Sequence, residues 1–291
     1  MGNDRCVLAY DVGGSHISAA VCSEATLALG PVVKAALPLE QTAEAFLHVL
    51  TDLAAQVAPD LRRVDGAGFA MPGPFDYLEG VSWMRHKMPY LYGVNVRQAL
   101  AEKLGWHPEQ VRFLNDAAAF LMGEIGAGAA RGVSRVVGIT LGTGIGSGFA
   151  VDGYLKTNGP GVPPGGEIWN MPFEGGIVED LISTRSIKSG YLERTGHERE
   201  VAEIAADAAN DAKAAETFTA FGHDLGRALR NLLRDFAPEV VVLGGGISRS
   251  APLFLPAAQS ELQGVAMELR ISVLGDQAPL VGAAVAWLAR G

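Results

Sequence analysis

Two stretches of this chain, VLAYDVGGSHISAAV at 7–21 and VGITLGTGIGSGFAV at 137–151, follow one plan. Each is an apolar strand, a glycine-rich turn with one hydroxyl residue, and a second strand of small and apolar residues. A hairpin repeated at that separation predicts two lobes of related fold, each opening with the same unit. The length agrees, because 291 residues are long for one compact core and suit two domains. With 48% apolar and 19% charged residues, both lobes should be well packed.

The chain has 37 glycines, clustered at 13–14, 126–128, 142–148, 159–166, 175–176 and 244–246. Each cluster follows a predicted strand or joins two elements, the pattern of backbone that something else approaches closely. Hydrophobic periodicity predicts strands at 5–11, 17–22, 64–70, 111–114, 135–141, 146–151 and 239–243. It predicts helices at 42–58, 95–104, from 116 to about 126, 213–236 and 280–290. The helix at 213–236 carries Phe218, Phe221, Leu225, Leu229, Leu232 and Phe236 in steps of three and four.

A net charge of −9 argues against a nucleic-acid partner, which calls for a basic patch. It does not exclude an anionic nucleotide held by backbone N–H groups. Two cysteines, Cys6 and Cys22, fall in adjacent predicted strands and are too few for a disulfide framework or a four-thiolate zinc site. No apolar run reaches the ~18 residues of a membrane span, and Met1–Arg5 carries neither a signal-peptide nor a myristoylation pattern. A cytoplasmic protein with no membrane partner is expected.

The glycine-rich turns suit phosphate. Several N–H groups can point into one concavity where no side chain intervenes. Asp11, Gly13, Gly14 and Ser15 combine such a turn with an acid that can hold magnesium, through water given that ion's reluctance to dehydrate. Gly142, Thr143 and Gly144 form the matching turn of the second hairpin. Gly244-Gly245-Gly246, after a fully apolar strand, suits the adenosine or α-phosphate side of a nucleotide. A dinucleotide loop fails on context, because both turns lead into strands rather than helices, and no Walker loop occurs.

In order, DVGGS (11–15), MPGP (71–74), FLND (113–116), GTGIGSG (142–148), GGE (165–167), VED (178–180), VVLGGGIS (241–248) and VGAAVAW (281–287) resemble the ROK family of sugar kinases and sugar-responsive repressors. The resemblance implies an α/β fold of two ribonuclease-H-like, actin-like ATPase lobes around a central cleft. It sets a small lobe at 1–115 plus 278–291 and a large lobe at 116–277. Its repressors carry an N-terminal DNA-binding domain, for which the residues before the first hairpin leave no room. The implied activity is ATP- and magnesium-dependent phosphorylation of a hexose, glucose at its 6-hydroxyl in the first place, by a homodimer whose lobes close on the sugar. Asp116 matches the catalytic base, and Gly73, Asn115, Asp116, Glu167, Asn170 and Glu179 fall at sugar-binding positions. Asp11, Gly13, Gly14, Ser15, Gly142, Thr143, Gly144, Gly245 and Gly246 fall at ATP and phosphate positions.

The chain departs from the family pattern in places. Many members have E-x-G-H and then a zinc-binding stretch with three Cys before the second Glu. Here Glu167-Ile168-Trp169-Asn170 puts Asn170 in place of the His, and the residues up to Glu179 contain no Cys, so no zinc is expected. Lys87-Met88-Pro89, preceded by His86, replaces an N-L-P that helps to bind sugar, and His16 stands where Lys or a small residue is frequent. Some zinc-free relatives take polyphosphate as donor, which is one alternative. A non-catalytic, sugar-responsive regulator is another, and it would be marked by an added binding domain or a lost catalytic Asp.

Overall fold

The computed structural model describes residues 5–289, so the reading of Met1–Asp4 and the end of the last predicted helix at 290 lie outside the described residues. The elements run β1 (Cys6–Val12), β2 (His16–Ser23), β3 (Val33–Ala36), α1 (Ala43–Val57), β4 (Gly66–Met71), β5 (Phe75–Asp76), β6 (Val81–Ser82), α2 (Val96–Leu104), β7 (Val111–Asn115) and α3 (Asp116–Ala127). Then come β8 (Arg135–Leu141), β9 (Ile145–Val151), β10 (Tyr154–Lys156), β11 (Pro172–Phe173), β12 (Gly176–Ile177), α4 (Val178–Leu181), α5 (Thr184–Thr195), α6 (Val201–Asp207) and α7 (Ala212–Leu232). The last are β13 (Val240–Gly244), α8 (Ala251–Glu261), β14 (Glu268–Ile271) and α9 (Ala278–Leu288). They form two compact units, Met1–Gly128 with Asp276–Gly291, and Ala129–Gly275.

In the first unit the sheet order is β3-β2-β1-β4-β7, antiparallel from β3 to β1 and parallel from β1 to β7. Strand alternation sends Leu8, Tyr10 and Ile17 toward α1, where they bury Phe46, Leu50 and Leu53. Tyr10 stacks on Phe69 at 4.3 Å and donates to the Leu50 carbonyl at 2.7 Å, so its hydroxyl is satisfied inside the core. Val7, Ala9 and Cys22 face the opposite way and pack with Leu280, Ala284 and Trp287 of α9. The expected neighbouring of the two thiols holds, since Val7 pairs with Cys22 and Cys6 with Ser23.

The second unit has the order β10-β9-β8-β13-β14, with the same change from antiparallel to parallel at the first hairpin strand. The echo in the sequence is therefore an echo in topology. The α7 stripe, Phe218, Phe221, Leu225 and Leu229, is buried against this sheet's core. The helix stops at Leu232, four residues before its predicted end at 236. Ala237 takes φ +50° and Pro238 follows, which leaves Phe236 to fill the core from a loop, edge-on to Phe149 at 5.0 Å.

The unit boundaries differ from those expected at 115/116 and 277/278. Helix α3 belongs to the first unit because it packs on α9 with the two backbones in close approach at Gly123 and Gly282. A Cβ on Gly282 would lie 1.7 Å from the Ala119 carbonyl oxygen, and one on Gly123 2.1 Å from that of Ala278. Neither backbone can retreat, because Gly68 on β4 is pressed equally closely by Ala283 of α9. Gly282→Ala is therefore expected to destabilise the chain by about 3 kcal/mol through overpacking. A urea midpoint equal to that of the parent would contradict this packing.

Candidate active site

The parallel strands β1, β4 and β7 end at one edge of the first sheet, where α/β sheets gather their functional groups. Asp11 lies in β1 opposite Ala70 of β4, and Ala70 lies opposite Leu114 of β7. Past β4 the chain makes the cis Gly73-Pro74 bond, and past β7 it enters α3 directly. Asn115 caps that helix, its Oδ1 accepting from the N–H groups of Ala117 at 2.9 Å and Ala118 at 3.2 Å. Asp116 is the first helical residue, and its Oδ1 accepts from the Ala117 N–H at 2.9 Å. Both side chains remain partly exposed.

Tyr77 ties these segments together. Its hydroxyl donates to the Met71 carbonyl at 3.2 Å and accepts from Asn115 Nδ2 at 3.3 Å. It also lies 3.3 Å from where a Gly73 Cβ would stand. Gly73 and Asn115, singled out separately in the sequence, thus share one neighbour.

The first hairpin turn is closed by the Gly13 N–H donating to the His16 carbonyl at 2.9 Å. Gly14 and Ser15 are exposed, and Ser15 Oγ lies 3.1 Å from His16 Nδ1. A Cβ on Gly14 would meet nothing within 4 Å, so the turn itself does not demand glycine there. Space left open by the fold is what a ligand pressed against the backbone requires.

Asp11 is the electrostatic centre of this edge. Burial pushes its carboxyl up to about 7; Asp116 and Asp276 push the same way and Lys34 opposes them. A cation beside Asp11 would relieve this strain. Among the described residues no group of three or more His, Cys, Asp or Glu is placed to hold a metal. One or two carboxylates with remaining water and phosphate oxygens is the donor set that magnesium accepts.

In the second unit the GTG turn lies between β8 and β9. Gly142 donates to the Gly144 carbonyl at 3.0 Å, and its own carbonyl accepts from the Thr184 N–H at 2.8 Å, which ties the turn to the start of α5. Thr143 is exposed and lines a cavity of about 290 Å³ with Thr184, Arg185, Lys188, Ser189, Leu192 and Glu198. Glu179, in α4, reaches back so that its Oε2 accepts from the Ile145 N–H at 3.1 Å, and a Cβ on Gly144 would strike that oxygen. Gly245 follows β13 at φ +82°, and a Cβ there would lie 2.4 Å from the Leu141 carbonyl oxygen, so its lack of a side chain is dictated by the fold whatever it binds. Gly246 has open space around it.

Glu167 and Asn170 are both exposed on the loop after β10. That loop is fixed by Ser147, which donates to the Gly166 carbonyl at 2.6 Å and accepts from the Ile168 N–H at 3.1 Å. Glu167 Oε2 accepts from Trp169 Nε1 at 2.9 Å. The structure gathers Asp11, Gly13, Gly14, Ser15, Gly73, Asn115 and Asp116 on one unit. It gathers Gly142, Thr143, Gly144, Glu167, Asn170, Glu179, Gly245 and Gly246 on the other.

The model of the ROK family matches residues 7–290. This chain belongs to the ROK family. It is 28% identical to a glucokinase of Thermotoga maritima, with 96% of each chain covered. It is 27% identical to an N-acetyl-D-glucosamine kinase of Photobacterium profundum over 84% of this chain and 85% of that one. Among solved structures, a ROK hexokinase from Thermus thermophilus superposes with a TM-score of 0.80 at 28% identity, covering 96% of this chain and 97% of that one. These ROK relatives carry the fold: mixed α/β, two five-stranded sheets, two lobes of the actin-like ATPase kind.

Reading motifs along the ROK chain missed Tyr77, Lys34 and Asp276. None sits in a glycine-rich turn, and only the strand register and the return of α9 bring them to the edge that Asp11 occupies. Lys87, marked by its replacement of Asn, is exposed on a loop between the fully buried Met84 and Met88.

The raised Asp11 carboxyl has a direct consequence for stability. In the folded chain it keeps a proton that the unfolded chain releases near pH 4, so stability is lost as pH rises from about 4 to about 7 and is level above that. In metal-free buffer Asp11→Asn should melt close to the parent at pH 4.5 and on the order of 5 °C above it at pH 8. A Tm difference that does not grow with pH would show that Asp11 is not held in this way.

Proposed function

We propose that this chain is an ATP-dependent sugar kinase that phosphorylates the 6-hydroxyl of a hexose, with glucose and N-acetylated hexosamines as the first candidates. The observation that carries the reading is Asp116, a partly exposed carboxylate fixed at the start of α3 and close enough to the largely buried Asp11 to act on its carboxyl. Phosphoryl transfer needs a positioned base, charge compensation for phosphate and exclusion of water. In this reading Asp116 accepts the proton of the sugar hydroxyl as its oxygen bonds to the terminal phosphorus, and the bond from that phosphorus to the β-phosphate oxygen breaks to release ADP. Asn115 and Gly73 hold sugar hydroxyls in the first unit. Glu167, Asn170 and Glu179 serve the same purpose in the second, where carboxylates form strong bonds to hydroxyls.

The turns at Gly13-Gly14-Ser15 and Gly142-Thr143-Gly144 offer N–H and hydroxyl groups to donor phosphates, with Gly245 and Gly246 close to the nucleoside side. Magnesium held through Asp11 supplies charge neutralisation on the phosphate oxygens. ATP is favoured over polyphosphate because the cavity beside Thr143 includes the apolar Leu192 and has room for a nucleoside part that polyphosphate lacks. The names of the relatives support both a glucose and an N-acetylglucosamine acceptor.

ADP release measured over glucose, mannose, fructose, allose and N-acetylated hexosamines should yield one preferred acceptor. Asp116→Asn should lower kcat with it by about 10²–10⁴ and leave sugar affinity within a few-fold. Near-normal turnover in that variant would remove Asp116 from the mechanism. Turnover with polyphosphate at least equal to that with ATP would overturn the choice of donor.

A further inference from the structure

The strand register puts Asp11, Ser18 and Lys34 in one row across β1, β2 and β3. They share the face of the sheet turned away from α1. Val33 and Ala35, the neighbours of Lys34 in β3, pack into the α1-side core, while Lys34 is exposed. His16 lies on the same face diagonally from Lys34, because it pairs with Ala36. Two strand spacings separate Asp11 from Lys34 at the backbone, about 10 Å, within the combined reach of a lysine stem and a carboxylate holding an ion or phosphate between them.

Lys34 makes no ion pair or side-chain hydrogen bond among the described residues, unlike Lys103, Lys188 and Lys213, which each hold a glutamate. It nevertheless faces an acidic edge, where Asp116 and Asp276 both act on Asp11. A phosphate tail brought to the Gly13-Gly14-Ser15 turn would meet these carboxylates, and Lys34 is a cation that acts on Asp11 from the same face. We propose that Lys34 is a catalytic residue that binds the terminal phosphoryl group of the donor, opposite Asp11. This rests on the kinase reading above and adds to it a contact for the group that is transferred. Its ammonium would gain an anionic partner, and the phosphoryl oxygens would gain a fixed positive charge to stabilise them as the bond to the leaving group breaks.

An edge-strand lysine can also serve only to block pairing between sheet edges. The two roles separate by ligand. With magnesium present, calorimetric titration of Lys34→Met should show a Kd for the non-hydrolysable ATP analogue AMPPNP raised about 10–100-fold, the loss of one charge-assisted contact. The Kd for ADP should change less than about threefold, because ADP lacks the terminal group. Lys34→Arg should recover most of the AMPPNP affinity, and both variants should melt with the parent. Unchanged AMPPNP affinity in Lys34→Met, or equal weakening of AMPPNP and ADP, would overturn the proposal. A parent protein that binds AMPPNP but phosphorylates no sugar would count against the kinase reading and not against Lys34.

Discussion

The contact between α3 and α9, backbone against backbone through Gly123 and Gly282, is the constraint on which the first unit depends. It leaves no room for even a methyl group at either of these glycines. The position of Ala278–Leu288 therefore follows from that of Asp116–Ala127, and both are held down on β4 through Gly68. Dense packing of this kind transmits position with little slack. The start of α3 carries Asp116, and the turn before α9 carries Asp276. The three-way carboxylate interaction at Asp11 is thus a product of helix packing as much as of the strand that bears it.

Much of this was legible in the sequence, for a physical reason. The paired hairpins repeat because each lobe needs the same turn from antiparallel to parallel pairing, and the repeat shows in the order of small and apolar residues. The motifs that point to phosphate and sugar lie in turns and at strand ends, where runs of glycine, hydroxyl and acidic residues stand out from the apolar strands beside them. Asn115-Asp116 could be placed because a strand ends and a helix begins between two neighbouring residues.

What stayed hidden depends on register or on contacts between distant segments. The edge strands β3, β10 and β14 are four residues or fewer, too short for alternation to stand out. Helix α8 contains Pro256 and reads as a break. The compact units divide after Gly128 and not at 115, which the sequence does not show because α3 presents an apolar surface but not what covers it. Tyr77 looks like any half-buried aromatic until its hydroxyl is found between Met71 and Asn115. Gly245 and Gly14 read alike in sequence, yet φ and crowding make the first a requirement of the fold and leave the second to be explained by what it binds.

The first unit is discontinuous, and that sets a schedule for its synthesis. Residues up to Gly128 leave the ribosome before the whole of Ala129–Gly275, and only then does the segment that covers Val7, Ala9 and Cys22 appear. At 5–20 residues per second the interval is about 7–30 s. During that time the sheet carries an uncovered apolar strip, and the closely fitting groove formed by Gly68, Gly123 and Ala119 is open to other chains. The second unit, being continuous, can finish folding while the first still waits. A nascent chain of this protein is therefore half native and half in need of shelter, and its exposure to chaperones is governed by the length of its second unit.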